Sequence, residues 1–174
     1  MQNIIVKIQN ENEELLADEK IGCFIVDSGL KPKFTASFVQ KAHEKGKLVL
    51  MSGTDALDNY ANFGADGVVI NTVKDPNPKK YIKEVQNKAP KAILGVVTRN
   101  RRHEAMLVSE CEPDFLIFKV WEDGLAENLE LLDWYNEMFL LQFAAQIEEN
   151  FDFSKVKADF LILDEKKYKN FVAK

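Results

Sequence analysis

Arg99, Arg101 and Arg102 are the residues of this chain best suited to meet an anion, and they are the only arginines in its 174 residues. His103 adjoins them. They stand where an apolar run, residues 93–97, hands over to a segment with helical spacing. A guanidinium can hold a phosphate or carboxylate through two parallel hydrogen bonds. A helix start adds unpaired backbone N–H groups and the positive end of a dipole. Cations in a first turn oppose that dipole by roughly 0.3–1 kcal/mol each when exposed. The same residues also fit a solvated basic loop, or ion pairs with Glu104, Glu122 or a partner chain. Both readings stay open. Asn71, at the end of another apolar run, joins the arginines as a candidate ligand-binding residue.

The other reactive side chains point to less. Cys23 and Cys111 match no zinc or redox spacing and lie in or beside apolar runs, so they read as buried free thiols. His43 reads as a helix-surface residue. Trp121, Trp134 and Tyr135 read as core or interface aromatics, with ligand stacking the alternative for Trp121.

Short apolar runs must position these residues. Residues 4–8, 22–26, 48–51, 67–70, 93–97, 115–118, 139–143 and 160–163 read as strands buried on both faces. Helical spacing lies between them. Phe34, Phe38 and Ala42 form one stripe, Leu57, Tyr60 and Ala61 another, and Leu125, Leu129 and Leu132 a third. Asn77-Pro78 is a cap and first-turn pair ahead of Tyr81, Ile82 and Val85. The stretches 10–20 and 146–157 carry only weak helical signal. Alternation of strand and helix implies right-handed βαβ units and a parallel sheet.

An internal repeat sharpens that expectation. Asp66, Asp114 and Asp159 each follow a small residue or proline and precede a buried strand, recurring after 48 and then 45 residues. A fainter copy spans 20–26, with Gly22 in the aspartate's place. Two strands per period predict a (β/α)8 barrel of TIM type, formed by residues 1–174 as a single domain and irregular near its N-terminus. An open doubly wound sheet is the alternative, without a G-x-G-x-x-G motif to support it. The aspartates fall on the face opposite a barrel's active end and read as structural caps.

Composition excludes several classes. Net charge is −5, with 46% hydrophobic and 29% charged residues. That balance argues against a nucleic-acid or anionic-membrane surface. No apolar run is long enough to span a membrane, and the first residues lack a secretory pattern, so the expected location is cytoplasmic.

The residues from Phe38 to Phe118 resemble the thiamin phosphate synthase/TenI family. The core of the resemblance is Gly46-Lys47-Leu48-Val49-Leu50, then Phe63-Gly64-Ala65-Asp66-Gly67-Val68-Val69-Ile70, then Ile93-Leu94-Gly95-Val96-Val97-Thr98. The resemblance implies a barrel, and an activity that joins a pyrimidine pyrophosphate to a thiazole phosphate with magnesium. It implies a magnesium role for Asp75 and a ligand-facing hydroxyl at Thr98. Other positions depart from the family. Val26-Asp27-Ser28-Gly29 lacks the cations expected after the second strand. Ser52-Gly53 replaces an Asn-Asp pair. Lys119–Gly124 does not match the Gly/Pro/Thr-rich loop. Ala144-Ala145-Gln146 replaces a Gly-Gly cradle, and Asp164-Glu165-Lys166 brings acids where small residues stand. The resulting expectation is a divergent member without synthase activity that binds a phosphorylated small molecule, or acts as an assembly or regulatory module. The alternative is an active magnesium-dependent transferase. No cofactor other than that magnesium is implied, and a homo-oligomer stays open.

Overall fold

The computed structural model describes residues 3–174. Its strands are β1 (Asn3–Ile8), β2 (Ile21–Asp27), β3 (Leu48–Ser52), β4 (Gly67–Asn71), β5 (Ile93–Val97), β6 (Phe115–Val120), β7 (Gln142–Ile147) and β8 (Phe160–Asp164). All neighbouring pairs are parallel, and β8 pairs with β1 to close the barrel. The helices are α1 (Pro32–Glu44), α2 (Ala56–Asn59), α3 (Pro78–Lys88), α4 (Arg102–Ser109), α5 (Leu125–Met138) and α6 (Glu165–Val172). This is the (β/α)8 barrel expected from the repeat. Among the described residues, no helix is long and apolar enough to cross a membrane.

Alternation along each strand divides the core in two. Ile5, Ile25, Leu50, Val69, Ile117 and Ile162 fill the lumen. Val6, Phe24, Val49, Val68, Leu116 and Leu161 point outward beneath the helices. That division explains why the strands lack polar alternation, since both faces are dry. Two glycines sit where backbone or ring comes close. A Cβ on Gly67 would stand 2.0 Å from the Ile93 carbonyl oxygen, and one on Gly95 would stand 2.6 Å from the Phe115 ring.

The repeated aspartates share one geometry. Asp66 N–H donates to the Val49 carbonyl, and its carboxylate accepts from Val49 N–H at 2.8 Å. Asp114 does the same with Leu94, its carboxylate at 2.6 Å. Asp159 does the same with Phe143, at 2.9 Å. Each therefore clasps the second residue of the preceding strand just before its own strand begins. Gly22 has no carboxylate to offer, and there the β1–β2 register slips in a bulge.

Two details differ from the sequence reading. The seventh strand is Gln142–Ile147, not 139–143. Phe139 belongs to an aromatic cluster instead, stacked on Tyr135 at 4.7 Å. Ala144, Ala145 and Gln146 are thus strand residues and not a loop at the phosphate position. The weak helical stretches also resolve differently. Residues 10–20 hold one 3₁₀ turn at Glu14–Ala17, and 148–159 hold no helix.

α6 covers the resulting gap beside β1. Asp164 caps it, accepting from Lys167 N–H at 2.7 Å. Glu165 accepts from Asn12 at 3.2 Å, Lys169 meets Glu14 at 2.8 Å, and buried Tyr168 donates to Asp18 at 2.7 Å. The Asp18 carbonyl in turn accepts from the ammonium of buried Lys47, which also donates to the Ile21 carbonyl at 2.8 Å.

Asp159→Ala should lower unfolding free energy by about 1–3 kcal/mol, because it leaves a partly buried Phe143 N–H unpaired. Denaturant unfolding with an unchanged m-value would check this. The Tyr168 hydroxyl holds the Asp18 carboxyl below its usual range, against the opposing effect of burial. A carboxyl lowered in the folded state stabilises above its unfolded value, and that contribution fades as pH falls through the folded one. Tyr168→Phe should therefore cost more stability at pH 7 than near pH 3, read from melts at both values.

Candidate functional site

The lumen is apolar until its C-terminal end, where the inward positions turn polar. Asp27, Ser52 and Asn71 end β2, β3 and β4, and Lys7, Lys119 and Gln146 stand one residue before the ends of β1, β6 and β7. Together they line a mouth of about 360 Å³ above Ile25, Val69 and Val97. Beside it lies an open groove of about 680 Å³, bounded by Asn71, Val73, Lys74, Thr98–Arg101, Lys119 and Trp121. Asn71 and Lys119 border both spaces.

The fold brings Asn71, Thr98, Arg99 and Arg101 together in this groove. Thr98 is 2% exposed, and its hydroxyl has no hydrogen-bond partner among the described residues. Arg99 is fixed by Nε donating to the Val73 carbonyl and by Nη1 at 3.3 Å from Glu104. One guanidinium nitrogen, Nη2, remains uncommitted among the described residues. Arg101 stands at the N-terminal boundary of α4 and is exposed. Asn100 braces the groove floor, its amide donating to the Lys119 carbonyl at 2.7 Å and to Asn128 at 2.8 Å. Trp121, at 39% exposure, forms an apolar edge.

Two predicted site residues lie elsewhere. Arg102 turns away, its guanidinium 5.2 Å from the Trp134 ring centre, a cation–π contact. Asp75 lines neither space, and its carboxylate accepts from Asn77 N–H at 2.8 Å ahead of α3. Magnesium in phosphate chemistry is held by carboxylates together with the ligand's phosphates. Asp75 is not part of the groove that could hold those phosphates. Among the described residues, no three His, Cys, Asp or Glu side chains group to hold a metal ion. Asp75, standing outside the groove, therefore does not fit the magnesium role that the resemblance implied.

The sequence reading missed Lys7, Lys119 and Gln146 as site residues. The signal was present: each interrupts an apolar strand at the inward phase, one residue before a buried outward residue. Lys119 lies 3.4 Å from Glu148, which also accepts from Gln146 at 2.8 Å. Lys7 has no ion pair or hydrogen-bond partner for its ammonium among the described residues. The cysteines offer no nucleophile here. Burial pushes the Cys23 thiol up to about 12, and burial likewise raises that of Cys111.

No protein family model matches this chain, and no curated protein gives a significant match. Solved structures do match in fold. Thiamine phosphate pyrophosphorylase from Pyrococcus furiosus is 18% identical with a TM-score of 0.73, covering 94% of this chain and 85% of that one. A tryptophan synthase complex from Pyrococcus furiosus is 12% identical with a TM-score of 0.72, covering 93% and 86%. Citrate synthase SbnG is 13% identical with a TM-score of 0.69, covering 99% and 91%. The barrel implied by the thiamin phosphate synthase resemblance is therefore the barrel observed. Those three names describe different chemistries on one fold, so function has to be argued from the site.

A buried hydroxyl without a partner costs stability. Thr98→Val keeps the shape and removes that cost. The variant should be as stable as the parent or up to about 2 kcal/mol more stable without ligand. Thermal melts in phosphate-free buffer would check this.

Proposed function

We propose that this protein binds a phosphorylated small molecule at the open end of its barrel and does not make thiamin phosphate. The observation that carries the reading is the cationic groove at the ends of β4, β5 and β6, walled by Arg99, Arg101, Lys74 and Lys119 beside the buried, unpartnered Thr98 hydroxyl. The Arg99 guanidinium would donate to the phosphate oxygens, with Arg101 beside it at the start of α4. The remaining charge faces Lys74, and Lys119 beside its Glu148 partner. Trp121 would cover the ligand's apolar part.

The position used by a glycine cradle supports the same reading from the other side. Asp164 already caps α6 with its own carboxylate and pairs with Lys167 at 2.6 Å. A ligand phosphate there would compete with a carboxylate tethered in place. The anion is thus directed to the ends of β4, β5 and β6. Synthase chemistry would need cations around a leaving pyrophosphate and a metal in reach of it. Asp27 stands where the cations would, and Asp75 stands outside the groove.

Titrating inorganic phosphate and simple phosphate esters into the protein tests the reading. Arg99→Ala should weaken binding about tenfold or more, as expected for a charge-assisted hydrogen bond. Unchanged affinity would remove Arg99 from the site. With magnesium, a pyrimidine pyrophosphate and a thiazole phosphate, no turnover near enzymatic rates of roughly 1 s⁻¹ is expected. Steady product formation at that rate would overturn the second half of the reading.

A further inference from the structure

We propose that the ligand's body is a sugar or other polyol whose hydroxyls are read by the barrel mouth, so that the protein selects phosphorylated polyols over other phosphate esters. This deepens the phosphate reading above and rests on it. The mouth and the groove adjoin, with Asn71 and Lys119 bordering both. An anion seated by Arg99 and Arg101 would therefore carry its organic part over or into the mouth.

The mouth is chemically mixed. Lys7 offers an ammonium with no partner among the described residues. Asp27 uses Oδ1 to accept from Gly29 N–H at 2.7 Å, which leaves Oδ2 open. Asn71 uses its oxygen to accept from Val73 N–H at 3.0 Å, which leaves its NH2 open. Gln146 donates to Glu148 and keeps its carbonyl oxygen. Ser52 adds a hydroxyl at the rim. Donors and acceptors thus alternate around one small space. Hydroxyl groups both donate and accept, so a polyol can satisfy this mixture from a single scaffold.

Charge argues the same way. Lys7 shares the mouth with the acid Asp27, and Lys119 pairs with Glu148 at 3.4 Å. The mouth therefore does not ask for a second anion. Its apolar floor of Ile25, Val69 and Val97 suits the C–H faces of a sugar. A volume of about 360 Å³ lies in the range that holds a small organic ligand.

The test compares ethyl phosphate, which has no hydroxyl, with glycerol 3-phosphate and ribose 5-phosphate by calorimetric titration at fixed salt. Ribose 5-phosphate should bind at least about tenfold tighter than ethyl phosphate, through two or more added hydrogen bonds. Lys7→Met and Asp27→Asn should each erase most of that advantage, weakening ribose 5-phosphate several-fold more than ethyl phosphate. Arg99→Ala should weaken both ligands alike. Equal affinity of ethyl phosphate and ribose 5-phosphate would overturn the polyol proposal and leave the phosphate reading standing. So would an advantage that survives both mouth variants. Failure of every phosphate to bind at millimolar concentration would overturn both. Circular dichroism of each variant separates lost contacts from lost fold.

Discussion

The carboxylate clasp at the start of β4, β6 and β8 is the constraint on which the barrel depends. A parallel ladder must begin somewhere, and its first N–H on the neighbouring strand has no carbonyl opposite. Asp66, Asp114 and Asp159 supply that acceptor from a side chain while their own N–H completes the pair. Register follows from this. Because side chains alternate with a period of two, a one-residue slip would move every lumen residue under the helices. The clasp fixes which residues fill the lumen, and so which residues emerge at its far end. Asn71 lies five residues beyond Asp66, and Lys119 five beyond Asp114. Asp164 lies five beyond Asp159. The polar mouth is placed by the acids at the opposite face.

The quarter without a clasp shows what the clasp contributes. Gly22 stands in the aspartate's place, and β1 pairs with β2 through a bulge. Its connection is one 3₁₀ turn, too short for a covering helix. The shortfall is met by α6, which follows β8 and lies against β1. Tyr168, Glu165 and Lys169 bind the short connection through Asp18, Asn12 and Glu14. Lys47, buried at the same end, ties the Asp18 and Ile21 carbonyls together. Burial lowers the tendency of Lys47 to stay charged, and nearby acids including Asp18 oppose that. A polar latch thus replaces an apolar helix face at the seam where the barrel closes.

Much of this was legible in the sequence, and the exceptions share a cause. The Asp-plus-strand repeat disclosed both strand number and parallel order, because it records the clasp itself. The boundary of β7 was misplaced because Phe139, Leu140 and Leu141 extend its apolar run back to the end of α5, although Phe139 packs on Tyr135 and Trp134 and Leu140 is exposed. Apolarity does not report conformation, so a run that crosses an element boundary hides it. The absent helix between β7 and β8 could be suspected from weak periodicity alone. In the site, the arginines drew attention because they are rare and adjacent. Only register separates Arg99 and Arg101, which face the groove, from Arg102, which rests on Trp134. Lys7 was overlooked for the opposite reason. A single lysine in Ile4-Ile5-Val6-Lys7-Ile8 is a signal to which only the inward phase of the strand gives meaning.

That inward phase also explains why the site lies where it does. The lumen is filled to the level of Ile25, Val69 and Val97, so nothing polar can reach deeper without losing its partners. Polar side chains can face inward only at the last layer, where solvent or a ligand replaces the missing neighbours. The chain places such residues on nearly every strand there, although apolar ones would close the mouth with less desolvation. Thr98 goes further. It holds a hydroxyl in a buried position where valine would fit, and Asn100 and Arg99 are braced around it by bonds to backbone carbonyls. A fold selected for stability alone would fill these positions with aliphatic side chains. Their polarity is what the open end keeps at a cost to the core, and it is concentrated where β4, β5 and β6 end together.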